Sequence, residues 1–458
     1  MSTLKVDLAL VKKYSVPGPR YTSYPPATHF TDQVTFDLLR GPIAANNATA
    51  ERDLSLYFHI PFCYMLCWYC GCTTVITKKQ EQSGTYLDYL KKELDLMGRF
   101  LNPKRKVVQI HFGGGSPTFL QPDEFRRLGE MIRSRFNVAP DVEASCEIDP
   151  RRLTRDHVKA MREFGFNRAS LGVQDYNPEV QKAVHRIQPR EMVEEVAGWI
   201  REAGFISLNL DLIYGLPLQT HDSFAKTLDG VLELNPDRFA VFNYAHVPWI
   251  KPHQKIFKDD VLPTAETKLD LLKMTIEKLT SVGFAYIGMD HFAKETDELA
   301  IAQKQKTLQR NFQGYSTHHG ADIYAFGMSS ISQAAGIYWQ NQKELADYYR
   351  MLDAGQAPFE RGYVMTDDDQ IRRQTIMRLM CDLGLDYSAM SQKLGVNFAD
   401  YFAKEIASLS DLEADGLLQR TSGGFTVTNE GRLLIRNIAM RFDAYLALEK
   451  ERRYSKTI

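Results

Sequence analysis

From residue 54 onward, short apolar runs alternate with longer amphipathic runs, and this alternation restricts the fold more than any other feature. The apolar runs have the length and composition of strands, and they cover residues 54–60, 107–112, 143–148, 169–173, 208–214, 239–244 and 285–289. Strands that alternate with helices form parallel sheets, because each helix crosses back over the sheet before the next strand begins. The sequence therefore predicts an α/β protein with six or seven βα units.

The predicted helices cover residues 86–100, 154–165 and 222–234. Thr154 is a plausible N-cap for the second helix, which stops at Gly165, and the third ends before Pro236. Because a closed barrel of this kind needs eight units, we expect an open partial (β/α) barrel. Ligands of such a barrel bind at the carboxyl ends of the strands, where the loops converge.

Four cysteines lie within ten residues, directly after the first predicted strand. Cys63, Cys67 and Cys70 have the spacing Cys-x3-Cys-x2-Cys, which places three thiolates on one loop. Three thiolates can hold three irons of a 4Fe-4S cubane and leave the fourth iron open to a small chelating molecule. Cys72 follows Cys70 too closely to bind the same cube, and nothing in the sequence assigns it a role.

A structural zinc site and a disulfide framework are the alternative interpretations of this cluster. Zinc sites commonly use two ligand pairs separated by a longer loop. Disulfide frameworks belong to small secreted proteins, whereas this chain has 458 residues and six cysteines. Both alternatives fit less well than an iron–sulfur site, and Cys146 and Cys381, outside the cluster, are expected to be buried apolar thiols.

The overall composition excludes several classes of partner. A net charge of −1 gives no reason to expect nucleic acid or an anionic membrane as a partner. No stretch approaches the ~18 uncharged apolar residues of a membrane span, and the amino terminus lacks an export signal. Clustered thiols indicate a reducing compartment. We therefore expect a cytoplasmic monomer that binds neither nucleic acid nor a membrane.

Three parts are expected: an arm over residues 1–50, the barrel over 51–350 and a small C-terminal domain over 351–458. The proline-rich stretch 17–26 of the arm is either an ordered strap or a flap over the active site in which Arg20 meets a carboxylate. Helices predicted at 371–383, 387–394 and 401–416, followed by a hairpin around residues 422–424, resemble a winged helix. Residues 366–458 hold fourteen acidic and thirteen basic side chains, so a lid or brace is favoured over DNA binding.

Polar or glycine residues follow each predicted barrel strand. Three consecutive glycines, Gly113, Gly114 and Gly115, allow a ligand to lie against the backbone, with amides that can donate to a carboxylate. The other candidates at or near strand ends are Ser116, Glu147, Asp149, Gln174, Asp175, Asp211, Asn243 and His246. Any one of these could be a satisfied core residue or a helix cap. Their repetition at strand ends favours a polar pocket.

These motifs together resemble the oxygen-independent coproporphyrinogen III oxidase family of the radical S-adenosylmethionine (SAM) superfamily. The matching segments are PGPRYTSYP, SLYFHIPFC, HFGGGSPT, EIDPR, LGVQD, NLDLIYGLP, IGMDHFA, RNFQGYST and GRLLIRNIAM. The resemblance implies a radical SAM type of barrel that carries a 4Fe-4S cluster on Cys63, Cys67 and Cys70 and binds two SAM molecules.

The resemblance also assigns residues to the two SAM molecules. Tyr57, Gly114, Glu147 and Ile331 match positions around the cluster-bound SAM, and Tyr57 is counted with the three cysteines as catalytic. The positions that match the second SAM site are Tyr69, Gly115, Ser116, Gln174, Arg186, Asp211 and Ala245. His59 is expected to order the cluster loop, and His291 is expected to be structural.

The implied reaction is an oxidative decarboxylation in haem biosynthesis. A 5′-deoxyadenosyl radical takes hydrogen from two propionates of coproporphyrinogen III, which become the vinyl groups of protoporphyrinogen IX. Arg20, Arg186 and Arg310, with Gln313 near in sequence, are candidate partners of the substrate carboxylates. The electron donor and the electron acceptor are unidentified. A haem-binding or haem-trafficking relative and a non-catalytic metal-binding module are the alternative functions.

Overall fold

A computed structural model describes residues 6–446, so residues 1–5 of the predicted arm and 447–458 of the predicted C-terminal domain lie outside the described residues. The strands are β1 (Leu54–Ile60), β2 (Phe62–Cys63), β3 (Val75–Ile76), β4 (Lys106–Gly114), β5 (Asn137–Ile148), β6 (Arg168–Gln174), β7 (Ser207–Tyr214), β8 (Arg238–Asn243), β9 (Phe284–Gly288), β10 (His291–Lys294), β11 (Gln309–Asn311), β12 (Gly314–Ser316), β13 (Asp322–Phe326), β14 (Ile331–Ala334), β15 (Ile337–Asn341), β16 (Phe359–Val364), β17 (Gly384–Asp386), β18 (Leu418–Thr421) and β19 (Gly424–Val427).

The helices are α1 (Leu8–Tyr14), α2 (Phe36–Asn46), α3 (Glu81–Met97), α4 (Pro122–Arg133), α5 (Arg155–Phe164), α6 (Pro178–Ala183), α7 (Arg190–Glu202), α8 (His221–Leu232), α9 (Ala265–Ser281), α10 (Glu298–Lys304), α11 (Leu345–Asp353), α12 (Asp367–Asp382), α13 (Tyr387–Leu394), α14 (Phe398–Tyr401), α15 (Ala403–Ala407), α16 (Ser410–Ala414), α17 (Asn429–Leu433) and α18 (Ile435–Ala439). Short 3-10 turns lie between them, including Pro252–Ile256 after β8. No helix within residues 6–446 has the length and apolar content needed to cross a bilayer.

One open sheet of twelve strands forms the body of the protein, in the order β16-β15-β14-β13-β1-β4-β5-β6-β7-β8-β10-β9. The strands from β13 to β8 in this order are parallel to one another. The remaining strands pair antiparallel on both sides of them. The predicted α/β class is confirmed, and the first six predicted strands correspond to β1 and β4–β8.

The seventh predicted strand does not begin another βα unit. It is β9, which pairs antiparallel with β10 across a two-residue connection, Met289 and Asp290. Two residues are enough for a hairpin but not for the crossover that a parallel strand requires. The parallel neighbour on the other side of β1 is β13, which the pattern of apolar runs did not predict.

Local sequence explains where the barrel helices begin and end. The hydroxyl of Thr154 accepts a hydrogen bond from the His157 amide (3.3 Å) at the start of α5, as predicted. Gly165 closes the same helix with φ of +114°, a left-handed conformation that glycine adopts without strain. Thr220 caps α8 in the same way by accepting from the Ser223 amide. These caps fix the residues at which α5 and α8 begin and at which α5 ends.

The arm packs into the C-terminal part of the chain. Tyr21 and Tyr24 are buried in one apolar cluster with residues of α12–α14, α18 and β17–β19. The Tyr21 hydroxyl donates to Asp443 (2.8 Å), and the Tyr24 hydroxyl accepts from the Ala444 amide (3.0 Å). Three strands form a small sheet in the order β17-β19-β18, in which β17 lies between α12 and α13 and the hairpin β18–β19 follows α16. The predicted single helix over 401–416 is wrong, because α14, α15 and α16 divide this stretch.

Candidate active site

The three predicted cluster ligands lie on one loop, residues 63–72, between β2 and β3. The loop is held by backbone hydrogen bonds: Thr77 N–H donates to Cys63 O (3.0 Å), Cys70 N–H to Cys67 O (2.9 Å) and Trp68 N–H to Val184 O (3.0 Å). Cys67 is buried, Cys63 and Cys70 are half-buried, and Cys72 is exposed. Burial first, and then the charges of Cys70, Asp149 and Cys67, raise the pKa of the Cys63 thiol.

Two arginines face the buried cysteine. Arg151 Nη2 and Arg186 Nη1 each lie 3.6 Å from Cys67 Sγ. Both also pair with Asp149, at 2.6 Å and 3.4 Å respectively. Burial raises the pKa of the Asp149 carboxyl, but Arg186 and Arg151 outweigh it and hold that pKa well below its usual range. The result is a buried set of charges in which one carboxylate faces two cations, so positive charge remains for an anionic ligand set.

This donor set fits an iron–sulfur cubane. Three free cysteines on one loop supply one thiolate for each of three irons, and the adjacent cations stabilise the negative charge of a thiolate-ligated cluster. Among residues 6–446, no three His, Cys, Asp or Glu side chains converge on a point that a single ion could occupy. A cubane does not require such convergence, because each thiolate binds a different iron.

Cys72, to which the sequence assigned no role, lies beside one ligand. Its backbone N–H donates to Cys70 Sγ at 3.4 Å. Its side chain also donates to Cys70, and this hydrogen bond lowers the pKa of the Cys70 thiol although burial opposes it. Donors to a ligand sulfur stabilise the negative charge on it.

The glycine run at the end of β4 is packed against residues 59–62, which lead into the cluster loop. A Cβ on Gly115 would lie 2.4 Å from Pro61 O, and one on Gly114 would lie 2.6 Å from the His59 ring. The amides in this run donate within the protein: Gly114 to Glu147 Oε2 (3.1 Å), Gly115 to Ile60 O (2.9 Å) and Ser116 to Phe62 O (2.9 Å). The prediction that the amides of the glycine run donate to a ligand is therefore wrong for Gly114 and Gly115, whose amides donate to Glu147 and to β1, and the Ser116 amide donates to β2.

Three of the residues assigned to the cluster-bound SAM lie together. Tyr57 on β1 stacks on His111 on β4, with ring centroids 5.7 Å apart. His111 Nε2 lies 3.4 Å from Glu147 Oε1, and Glu147 accepts from Gly114. Sequence reasoning missed His111, although it precedes the glycine run by two residues and therefore shares a strand face with Gly113. Tyr57, His111, Gly114 and Glu147 form one continuous polar wall.

Ile331 is not part of this wall. It lies on β14, which is separated from β1 by β13, and it packs with Phe30, Tyr338 and Met365. The β13 register places Ala325, not Ile331, opposite Tyr57. The sequence offered no signal for this, because the antiparallel strands after β13 were not predicted.

The residues assigned to the second SAM surround the ends of β6 and β7. Arg186 is 7% exposed, and its Nη2 donates to Gly172 O (2.9 Å). Gln174 ends β6 with φ of +67°. A Cβ on Gly172 would lie 2.9 Å from the side-chain nitrogen Nε2 of Gln174. Asp211 accepts from Ser170 Oγ (2.9 Å), and burial raises the pKa of its carboxyl to about 7.

Ala245, the remaining residue of that set, lines a cavity of about 680 Å³. The arm, the ends of β7 and β8, α9, the β9–β10 turn and the C-terminal part of the chain enclose it. Its polar lining includes Arg20, Tyr214, His246 and Arg436. Tyr69, by contrast, packs beside Val180, Val184 and Tyr244 in a neighbouring apolar cluster.

A segment after β8 that sequence reasoning missed holds the end of the cluster loop. Three side chains of this segment form hydrogen bonds with backbone carbonyls of the cluster loop: Lys251 Nζ with Cys72 O (2.7 Å), His253 Nε2 with Cys70 O (2.9 Å) and Gln254 Nε2 with Tyr69 O (2.9 Å). Gln254 is fully buried. This segment joins the cluster loop to the cavity wall, and its irregular sequence carries no periodic pattern by which it could have been identified.

Comparison with known proteins identifies the family. Residues 57–231 match the Radical SAM superfamily, and residues 365–434 match the HemN C-terminal domain. The chain is 48% identical over 440 residues to the oxygen-independent coproporphyrinogen III oxidase of Salmonella typhimurium, covering 96% of this chain and 95% of that protein. It is 44% identical to the enzyme of that name from Helicobacter pylori strain J99, with 99% of each covered.

A solved structure agrees with these sequences. Coproporphyrinogen III oxidase (HemN) from Escherichia coli, described as a radical SAM enzyme, superposes with a TM-score of 0.92 at 46% identity and covers 97% of this chain and 100% of that one. The predicted radical SAM fold is thereby confirmed. Because the similarity extends over almost the whole chain, this protein belongs to the oxygen-independent coproporphyrinogen III oxidase family.

Proposed function

We propose that this protein converts two propionate side chains of coproporphyrinogen III to vinyl groups without oxygen and forms protoporphyrinogen IX in haem biosynthesis. The observation that carries this proposal is the cluster loop, with its three cysteines beside Arg151 and Arg186, in a chain 48% identical to a relative of that name over 96% of its length. The protein is a radical SAM oxidoreductase that uses a 4Fe-4S cluster and SAM.

The chain supplies the binding and orientation of these groups. When bound, the cluster and SAM supply an oxidant strong enough to remove hydrogen from an unactivated carbon. Cys63, Cys67 and Cys70 hold the cluster. Tyr57, Gly114 and Glu147 would hold the SAM that binds to the cluster, and the assignment of Ile331 to that SAM remains a prediction.

A second SAM molecule is assigned to the ends of β6–β8. The residues proposed to surround it are Tyr69, Gly115, Ser116, Gln174, Arg186, Asp211 and Ala245. Arg186 supports this assignment because its guanidinium is buried between the cluster loop and β6. Gly115 and Ser116 would contact it through groups other than their amides, which donate to β1 and β2. Two propionates react, so two molecules of SAM are consumed for each substrate.

Each vinyl group forms when a propionate loses one hydrogen atom, one electron and CO2. No side chain has to act as a strong base, and the chain contributes positioning and exclusion of water and oxygen. An external reductant must deliver an electron to the cluster, and an external one-electron acceptor must take the electron that the substrate loses. We propose that both are separate partners of this protein.

The proposed domain organisation has three parts: an arm (residues 1–50), the barrel (51–350) and a C-terminal domain (351–458). Arg20 on the cavity wall supports a role of the arm over the active site. We propose a cytoplasmic location, because six free cysteines suit a reducing compartment. A monomeric state stays a prediction, as does the expected lack of nucleic-acid and membrane partners.

The test is anaerobic incubation of the reconstituted protein with dithionite, SAM and coproporphyrinogen III. We expect two CO2 for each substrate and a divinyl product by mass spectrometry. Cleavage of SAM without a vinyl product, combined with tight haem binding, would instead favour a haem-trafficking role. If SAM is not cleaved at all, the enzymatic proposal is wrong.

A further inference from the structure

Three arginines from distant parts of the chain meet beside the cavity. Arg20 comes from the arm, Arg310 from β11 and Arg436 from α18. Arg20 and Arg436 line the cavity, and Arg310 lies directly behind Arg20, with its Nη2 3.4 Å from Arg20 O. Arg310 and Arg436 are each 4% exposed. We call these three residues the arginine cluster.

Neutral groups satisfy much of the cluster's hydrogen bonding. Arg436 Nε donates to Pro19 O (3.0 Å), and the Arg310 guanidinium lies over the Tyr315 ring at 4.8 Å. Arg310 Nε and Nη1 have no hydrogen-bond partner among residues 6–446. Carbonyl oxygens and ring faces attract a guanidinium but do not cancel its charge, so these contacts leave positive charge in place.

One carboxylate, Asp290, forms an ion pair with Arg20 at the cavity wall. The pKa of Arg20 is nevertheless lowered to about 10, first by burial and then by the charges of Arg310 and Arg436. Burial and the charge of Arg310 lower the pKa of Arg436 to about 10 as well. Like charges that lower one another's pKa are held together against repulsion. Such a group is stabilised when an anion enters.

We propose that the arginine cluster binds a propionate carboxylate of the porphyrinogen, and that this propionate is one that does not react. The proposal rests on the proposed function. It extends that function by naming Arg436 beside Arg20 and Arg310, and by excluding Arg186. Arg186 is proposed to bind the second SAM, and it is held beside Cys67 by Gly172, Gln188 and Asp149, away from the arginine cluster.

The chemistry of the substrate selects which propionate is held. A reacting carboxylate must leave as CO2, so strong contacts to it stabilise the ground state and oppose its loss. Two propionates survive in the product, and a cationic site can hold either of them through both reactions. The arginine cluster therefore acts as a positioning site that is shared by substrate and product.

The experiment measures binding of coproporphyrin III and of protoporphyrin IX to the anaerobic holoenzyme by fluorescence. We expect Arg310→Gln to raise the Kd for both porphyrins by at least tenfold, and Arg310→Lys to recover part of the affinity. The KM for coproporphyrinogen III rises with the Kd.

Arg378→Gln is the matched control. Arg378 is a buried arginine on α12 that donates to the carbonyls of Lys306 and Leu308, so its loss disturbs the same region without removing charge from the cluster. We expect a comparable fall in Tm and an unchanged Kd for both porphyrins.

The outcomes separate the two proposals. Unchanged Kd values for Arg310→Gln, with an active wild type, would overturn the role of the arginine cluster alone. Weaker binding of coproporphyrin III but not of protoporphyrin IX would overturn the choice of the surviving propionate. A wild-type holoenzyme that binds neither porphyrin and forms no vinyl product would overturn the proposed function, and the arginine assignment with it.

Discussion

Cys67 differs from the other two proposed cluster ligands in its surroundings. It is buried, and two guanidinium groups lie 3.6 Å from its sulfur. Cys63 and Cys70 are half-buried, and Cys70 accepts from the Cys72 backbone. Removal of Cys67 therefore removes one iron ligand and the sulfur that Arg151 and Arg186 both contact. Asp149 is then left to pair with both guanidinium groups.

We predict that Cys67→Ala abolishes both the cluster absorbance and SAM cleavage, whereas Cys72→Ala retains both. Cys72 is the matched control because it lies on the same loop but outside the ligand spacing. Iron and sulfide analysis, with an EPR spectrum before and after SAM, measures the outcome. Full cluster content in Cys67→Ala would contradict the ligand assignment.

Glu93 on α3 is a fully buried acid far along the sequence from its partners. It accepts from the Gly327 amide (2.8 Å), Asn341 Nδ2 (2.6 Å) and the Tyr348 hydroxyl (2.7 Å). Burial raises the pKa of Glu93 to about 7, although these three donors oppose the shift. In the unfolded chain the pKa of a glutamate is near 4.3.

This shift predicts a pH-dependent stability. Between the unfolded and the folded pKa the folded protein binds more protons, so the free energy of unfolding falls as pH rises from about 4.5 to 7 and is level above that. We expect Glu93→Gln to lack this component, which is about 3 kcal/mol. Denaturant unfolding of both proteins at pH 5, 6, 7 and 8 measures the difference. A constant difference over this range would contradict the prediction.

At this scale the sequence identified residue types but not their partners. The polar residues at strand ends were predictable because apolar runs mark the strands. The amide of Gly115 was expected to meet a ligand, yet it donates to Ile60 on a neighbouring strand. Likewise, Arg151 and His111 lie within the matching segments but were not predicted as site residues, because their partners Cys67 and Tyr57 are distant in sequence.

The junction between β1 and β4 is the element that positions the active site. β1 leads into the cluster loop, and β4 ends in the glycine run that packs against residues 59–62. The close approach of Gly115 to Pro61 leaves no room for a side chain. Because the obstacle is a backbone carbonyl, it cannot rotate away as a side chain could.

We predict that Gly115→Ala lowers activity at least tenfold and reduces iron content, because the added methyl separates the end of β4 from the cluster loop. Gly71→Ala is the control, since a Cβ at Gly71 has no heavy atom within 4 Å although it lies between Cys70 and Cys72. We expect Gly71→Ala to keep its cluster and its SAM cleavage. Equal loss in both variants would mean that the loop itself, not the strand junction, is sensitive.

The parallel strands β1 and β4–β8 were predictable, whereas β13 and the antiparallel strands after it were not. Strands β4–β8 lie between helices and contain apolar runs of strand length. Strands β13–β16 are short and carry polar and aromatic residues, and β13, β14 and β15 follow one another across brief turns, so they do not show this pattern. Their absence from the prediction also explains why Ile331 could not be placed.

On the scale of the whole molecule, the arm joins the C-terminal core to the barrel. Tyr24 is fully buried among residues of the C-terminal cluster, and its carbonyl accepts from the Tyr338 hydroxyl on β15 (3.2 Å). Arg436 holds the arm from the opposite side through Pro19. The arm therefore contacts both the sheet and the last helices.

We predict that Tyr24→Ala lowers the free energy of unfolding by about 3–5 kcal/mol, the usual cost of removing a buried aromatic ring. Because the arm contacts both parts, we also expect a single unfolding transition at lower denaturant concentration. Leu38→Ala, at an exposed position of α2, is the control and should change stability little. Two separate transitions in wild type would contradict this coupling.

The contact between Tyr21 and Asp443 joins nearly opposite ends of the described chain. A ribosome makes Tyr21 422 residues before Asp443, so the arm cannot form this contact while the barrel is being synthesised. The cysteine loop also precedes Asp443 in the sequence, and it is therefore made before the arm can close. Delivery of iron and sulfide to a nascent chain can therefore precede its final closure.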